Sequence, residues 1–294
     1  MGISTHIFRT ILKEHKFKPL KGKGLLLGRQ SIFFDQYQMK NIAKQEGVKL
    51  KQISLATDTE TRAGGKIVDY DLFKHFTDMN FDALDITDYE GANVIHDMNT
   101  PLPDNLFEKY DFLYNGSCMD NLFNPSQFIQ NCTDLLKPNG TFLSIEHGSS
   151  FPGGYLFYSP DWFLDFFAIN QFNDAQVFVA DFAGFKSPHH IESPWQLWNW
   201  NPLCHGIPTE HSIHLNPSNR LILVVAEKGQ SIFEIKQPVQ GQYRTSEETL
   251  NPIYENSYKK FLKSNRLKYF QNHINPIDWQ KSGSISNLAY IGTL

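Results

Sequence analysis

The sequence predicts an α/β fold: a Rossmann-like, doubly wound, mostly parallel sheet with a loop-rich cap and a C-terminal extension. Three observations predict it. Short continuous apolar runs, Leu25-Leu26-Leu27 and 220–227 (RLILVVAE), look like strands buried on both faces. Segments of helical period alternate with such runs, which is the pattern of βαβ units. Several strand candidates end in an acid, namely Asp85, Asp97 and Glu146, where open α/β sheets bind their ligands.

Residues 5–17 mix apolar and basic positions and predict a short helix. Gly22 and Gly24 precede the Leu25–Leu27 strand. Over 33–46 the apolar positions 33, 34, 37, 39, 42 and 43 approach helical spacing, with Gly47 as the stop. Residues 52–56 are a strand candidate, 57–68 a loop rich in Thr, Asp and Gly, and 71–79 a helix. Strands follow at 81–86, 92–96 and 111–115, then a helix over 125–136 closed by Lys137-Pro138-Asn139-Gly140, a helix-to-strand breaker. Residues 141–146 read as the next strand. Residues 159–170 (SPDWFLDFFAIN) read as a helix with Ser159 as N-cap, Pro160 in the first position and Asp161 complementing the dipole. Strands at 175–182 and 220–227 enclose 183–218, a Pro- and aromatic-rich segment without periodicity that is expected to be a cap. Residues 252–271 are weakly helical. The expected division is a 1–229 domain, with an insertion at 48–80 and the cap at 183–218, followed by a 230–294 extension.

Composition narrows the function classes. In 294 residues, Lys+Arg is 27 and Asp+Glu is 31, so the net charge of -4 disfavours a broad basic nucleic-acid surface. The three cysteines, Cys118, Cys132 and Cys204, form neither an even framework nor a CxxC pair. No apolar run approaches ~18 residues, so no membrane partner is expected. The first 23 residues lack the apolar core of a signal peptide, so the expected location is cytoplasmic and the Asn115, Asn131 and Asn139 sequons read as chance. No metal is expected: His189, His190, His205, His211 and His214 lack a ligand spacing with carboxylate support.

The strand ends nominate a site. Asp85 fits a ribose diol, whose cis hydroxyls match the two carboxylate oxygens, and Asp97 fits an adenine amino group. Both types are equally turn formers and helix caps. Gly28 stands alone, with Arg29-Gln30-Ser31-Ile32 after it in place of a GxGxxG loop. That disfavours a dinucleotide and suits a ligand without phosphate, such as S-adenosylmethionine (AdoMet). His147 and Asp120 are the candidates for a proton-accepting group, with a structural histidine as the alternative. Tyr155, Phe157, Tyr158, Trp162 and Phe163 either wall a pocket or fill the core. Trp195, Trp198 and Trp200 either stack on a sugar or pack the cap onto the sheet.

The stretch 81–160 resembles class I AdoMet-dependent methyltransferases, and more narrowly a bacterial group of methyltransferase-like proteins. The residues that carry the resemblance are Asp85-Ile86-Thr87-Asp88-Tyr89-Glu90-Gly91-Ala92, Asp97-Met98-Asn99-Thr100-Pro101, Phe157-Tyr158-Ser159-Pro160 and the Leu135-to-Thr141 turn. It implies AdoMet as cofactor, held by Gly28, Gln30, Asp85, Ile86, Asp97, Met98 and Asn115, and methyl transfer to a small molecule or glycan. The chain departs from the family where Leu26, Gln30 and Ile32 replace an acid and two glycines. It also has Asp120-Asn121 and Gly153-Gly154-Tyr155 where the group often has Glu-His and His-Gly-Phe. These departures keep open a methyltransferase fold that binds or scaffolds without catalysis. Neither acceptor nor oligomeric state is legible in the chain.

Overall fold

The computed structural model describes residues 2–62, 64–149, 154–181, 194–204, 220–231, 234–246, 251–272 and 288–294. In chain order these hold β1 (Gly2–Ile3), α1 (Thr5–Phe17), β2 (Lys23–Leu27), β3 (Ser31–Ile32), α2 (Gln36–Glu46), α3 (Asp69–Lys74), β4 (Asn80–Asp85) and β5 (Val94–Ile95). Then follow β6 (Tyr110–Gly116), α4 (Pro125–Leu135), β7 (Leu136–His147), α5 (Pro160–Ile169) and β8 (Asp174–Asp181). The last are β9 (Gln196–Trp200), β10 (Arg220–Glu227), α6 (Asn251–Leu262), α7 (Leu267–Phe270) and β11 (Leu288–Thr293).

Nine strands form one sheet in the order β11-β9-β8-β10-β7-β6-β2-β4-β5. The five strands from β7 to β5 pair in parallel. Within the sheet only β10 and β9 run against the rest. Numbering β2, β4, β5, β6, β7, β8 and β10 as 1 to 7 gives the order 3-2-1-4-5-7-6, with the seventh strand reversed. The 3-2-1-4-5 part is the doubly wound order, whose direction of winding reverses between strands 1 and 4. This is a Rossmann-like sheet.

Both faces are covered, which is why the central strands read as unbroken apolar runs. Leu26, Phe112, Tyr114, Leu223 and Val225 point into a core with α1, α2, α3 and α7. Their neighbours Leu25, Leu27, Leu113, Ile222 and Val224 point into the opposite core, with α4, α5 and α6. The period of two puts consecutive leucines on opposite faces, and both faces are dry.

Local signals account for the helix bounds. Ser4 caps α1, accepting from the Ile7 N–H. Asp35 and Gln38 form a reciprocal capping box on α2, and Gly47 closes that helix with φ +70°. The structure departs from the expected strand at 52–56 and adds strand pairing within the cap and the C-terminal region. Residues 52–56 make no strand, because β4 already occupies the edge of β2. The 183–218 cap contains β9, which pairs with β8. The 230–294 segment is joined to the sheet: β11 pairs with β9, and Tyr254 and Tyr258 of α6 are buried in the α4–α6 core. No helix among the described residues is long and apolar enough to cross a membrane.

Candidate functional site

The carboxyl ends of β2, β4, β6 and β7 form one rim. At the end of β2 the chain turns through Gly28, whose φ is +73° and whose N–H donates to Leu84 O at 2.8 Å, tying the ends of β2 and β4 together. The two side chains after it turn inward. Arg29 is buried and forked on Asp69, with Nε 3.0 Å from Oδ2 and Nη2 3.0 Å from Oδ1. Its Nη1 reaches Glu60 Oε2 at 2.6 Å and Glu90 O at 2.8 Å. Arg29 therefore binds the 48–80 insertion to the rim. The guanidinium is held even more firmly charged than usual by Asp69 and Glu60, against the cost of burial. Gln30 has no exposed surface, and its Nε2 donates to Leu27 O and Gly28 O.

At the end of β4, Asp85 accepts from the Ile86 N–H through Oδ1 at 2.7 Å. Among the described residues, none donates to its Oδ2. Asp85 borders a cleft of about 830 Å³, enclosed by Arg29 and Ser31, by Thr61 and Arg62 of the insertion, and by Thr87, Tyr89 and Glu90. The insertion is folded here around Asp58, whose carboxylate accepts from the Glu60, Thr61 and Gly65 N–H groups. Against the desolvation of its partial burial, the Thr61 hydroxyl and these N–H groups hold Asp58 below the usual carboxylate range.

The other nominated ligands lie differently. Ile86 is exposed beside Asp85. Asp97 makes a turn, accepting from the Asn99 backbone and side chain at 2.9 Å each, and these donors hold its pKa low. Met98 is buried in the α4–α6 core. Asn115 is buried, with its amide between Ser144 Oγ and Glu146 Oε1 and its Oδ1 on the Cys118 N–H. Met98 and Asn115, both nominated as cofactor contacts, are buried: Met98 after β5 in the α4–α6 core, and Asn115 in β6, which is covered on both faces.

At the ends of β6 and β7 the structure joins His147 to Asp120. His147 Nδ1 lies against Asp120 Oδ2, and Ser117 Oγ donates to the same oxygen at 2.7 Å. Ser117 bends the chain out of β6 with φ +65°, a left-handed conformation that serine rarely adopts, and so reaches both partners. The segment 154–158 passes over the pair: the Tyr155 N–H donates to Asp120 O at 2.7 Å and the Tyr158 N–H to His147 O at 2.9 Å. Beneath them Glu146 is fully buried and takes the Asp120 N–H at 3.3 Å. Burial, with Asp120 nearby, holds the Glu146 carboxyl well above its ordinary pKa. Glu146 was legible only as a strand end. Its role depends on burial, which the sequence does not show.

Of the aromatics, Tyr158 and Phe163 are core, while Tyr155 and Phe157 are exposed, with Tyr155 edge-on to Phe123 at 5.7 Å. The tryptophans pack. Trp195 is buried and stacked on His6 at 4.5 Å, Trp198 meets Tyr290, and Trp200 Nε1 donates to Asp161 at 2.7 Å. The histidines at 189, 190, 205, 211 and 214 lie outside the described residues. Among the described residues, no group of three or more His, Cys, Asp or Glu side chains is placed to hold a metal.

The residues fit an adenosyl ligand, as the sequence resemblance implies, at two points. Asp85 stands beside an open cleft with one oxygen committed to its own backbone. Gln30 Oε1 is buried without a donor at the turn where strand order reverses.

No protein-family model matches the chain, and no curated protein matches it in sequence. Solved structures resemble it at low identity. One is an AdoMet-dependent methyltransferase of Thermotoga maritima, a possible histamine N-methyltransferase, at 13% identity and TM-score 0.39, covering 76% of this chain and 91% of that one. A second is a methyltransferase-like protein of Bacillus halodurans at 12% identity and TM-score 0.39, covering 76% of this chain and 99% of that one. A third is the CMeT domain of a citrinin polyketide synthase at 10% identity and TM-score 0.38; the match covers 77% of this chain and about half, 52%, of that one.

Proposed function

We propose that the chain is an AdoMet-dependent methyltransferase acting on a hydroxyl-bearing small molecule or glycan. The observation that carries this reading is the placement of Asp85 beside the 830 Å³ cleft, on the same sheet rim as the Asp120–His147 pair. AdoMet, when bound, supplies an electrophilic sulfonium methyl. Asp85 would accept hydrogen bonds from the two ribose hydroxyls, and the Arg29 clamp would keep the insertion in place as the cleft's outer wall. Asp120 holds Nδ1 of His147, which leaves Nε2 to take the proton released by an acceptor hydroxyl. Ser117 fixes the Asp120 carboxylate. The rest of catalysis is alignment.

Calorimetry with S-adenosylhomocysteine tests the reading: binding is expected in the wild type and lost in Asp85→Ala. Absence of binding at millimolar ligand overturns it. A second reading, a methyltransferase fold that binds without catalysis, is favoured by one feature: Arg29 and Gln30 fill the turn that glycines leave open in the family. Transfer of label from methyl-labelled AdoMet to any acceptor excludes it.

A further inference from the structure

We infer that Phe123 and Tyr155 form an open platform that takes the ring of an uncharged sugar, so that the acceptor is a glycan or a glycoside. The inference rests on the reading of Asp120 and His147 as the proton-accepting pair, and it narrows the acceptor class at that same site.

Both rings stand out in solvent. Phe123, at 85%, is the most exposed large apolar side chain among the described residues, and Tyr155 is 66% exposed. They come from separate loops yet meet edge to face, with centroids 5.7 Å apart and planes at 73°. The backbone beneath each is fixed. Asn99 Oδ1 accepts from the Phe123 and Asn124 N–H groups at 3.1 and 3.0 Å, and Asn99 Nδ2 donates to Asp97 Oδ1 at 2.9 Å. The Asp97 turn therefore fastens the Phe123 loop. Leu122 packs against the α4–α6 core, and the side chain after it turns outward. On the other loop the Tyr155 N–H is held by Asp120 O at 2.7 Å. Anchoring of this kind lowers the ordering that a ligand must impose.

The platform adjoins the pair. Phe123 follows Asp120 by three residues, a span of at most about 11 Å, and Tyr155 is bonded to Asp120 itself. Gly154 passes the Asp120 carboxylate without a side chain, where an added Cβ would stand 3.5 Å from Oδ2. Chemistry then selects the occupant. Large apolar side chains paired in solvent are the kind of patch that marks an interaction site. Segments 110–136 and 138–185, which carry the platform and the pair, contain no Lys or Arg. An anionic acceptor would meet Asp120 with no cation from either segment, so the acceptor is uncharged. The platform is also open on one side. A flat aromatic acceptor has two apolar faces and would leave one in water. A pyranose has one C–H face to lay on the rings, and its hydroxyls stay hydrated or reach His147. Those hydroxyls carry the proton that the pair is placed to take.

The test is saturation-transfer NMR on the full chain with the methyl glycosides of glucose, galactose, mannose, rhamnose and N-acetylglucosamine, and with catechol as a flat uncharged probe. Transfer is expected to the ring C–H protons of at least one glycoside. Phe123→Ala and Tyr155→Ala are each expected to weaken its binding at least about fivefold, while Tyr155→Phe, which keeps the ring, binds as the wild type does. Both side chains are exposed, so the urea unfolding midpoint is expected to stay where it is; should one alanine variant fail to fold, the other decides. Absence of transfer to every glycoside overturns the inference, as does transfer that survives both alanine substitutions. Transfer to catechol alone, lost with the rings, gives the platform to flat acceptors and overturns the sugar. Calorimetry with S-adenosylhomocysteine keeps the two readings apart. If it binds and no glycoside does, the platform alone falls. If a glycoside binds and it does not, methyl transfer falls and the rings remain a sugar site.

Discussion

Gly116 carries one of the narrowest constraints in the molecule. The Gln30 amide is pinned by two backbone carbonyls, so it cannot swing aside without losing both. Gly116→Ala is therefore expected to destabilise the chain by about 1–3 kcal/mol, as other overpacked cores do. A urea unfolding midpoint equal to that of the wild type would show that the amide can move. The catalytic proposal has its own test at this scale. Asp120→Asn removes the carboxylate that holds Nδ1 of His147 while leaving the Asp85 rim untouched. Turnover is expected to fall by about 10²–10⁴, the usual worth of general base catalysis, with S-adenosylhomocysteine affinity unchanged. Equal turnover would remove His147 from the proton path.

At the scale of elements, one buried cation helps to hold the 48–80 segment. Arg29 joins the β2 turn to Asp69 at the start of α3, and Asp69 has no exposed surface. Arg29→Met is expected to cost about 3–5 kcal/mol, because it leaves a buried carboxylate without its partner. Limited proteolysis should then cut the insertion faster than the rest of the chain; an unchanged cleavage pattern would show that α3 stays docked by its apolar contacts alone. This clamp was not legible in the sequence. Arg29, Glu60 and Asp69 are up to 40 positions apart, and only folding brings them together. The strand-end residues were legible for the opposite reason: Asp85, Asp120 and His147 lie at or just beyond strands whose apolar runs are unmistakable, so their place on the rim follows from local pattern. β9 and β11, the last two strands at one side of the sheet, were missed because neither carries a long apolar run. Gln196 to Trp200 reads Gln-Leu-Trp-Asn-Trp amid prolines, and β11 sits in a polar segment whose pairing partner is about 90 residues upstream. The end of α2 was legible from Gly47, which closes it in the left-handed conformation.

At the scale of the whole molecule, one buried cation closes the chain on itself. Arg266, just before α7, has no exposed surface and contacts Glu14 of α1, Asp174 of β8 and Glu227 of β10. Its guanidinium also stacks on the Phe17 ring at 4.6 Å. The first helix, the sheet and the C-terminal region are thereby fastened at one point. Burial pushes the Glu14 carboxyl from its ordinary 4.5 up to about 7, outweighing the attraction of Arg266. A folded-state value above the unfolded one means that the folded chain binds the proton more tightly. The stability contributed by Glu14 is then complete below about pH 4.5 and is lost as pH rises through about 7. Glu14→Gln keeps an acceptor for Arg266 but does not titrate. The stability of the wild type relative to this variant, from urea unfolding, is therefore expected to decline between about pH 4.5 and 7 and to be level on either side. A difference that instead rises with pH would show that Arg266 outweighs burial, and that Glu14 is a carboxylate throughout the range in which the chain is folded.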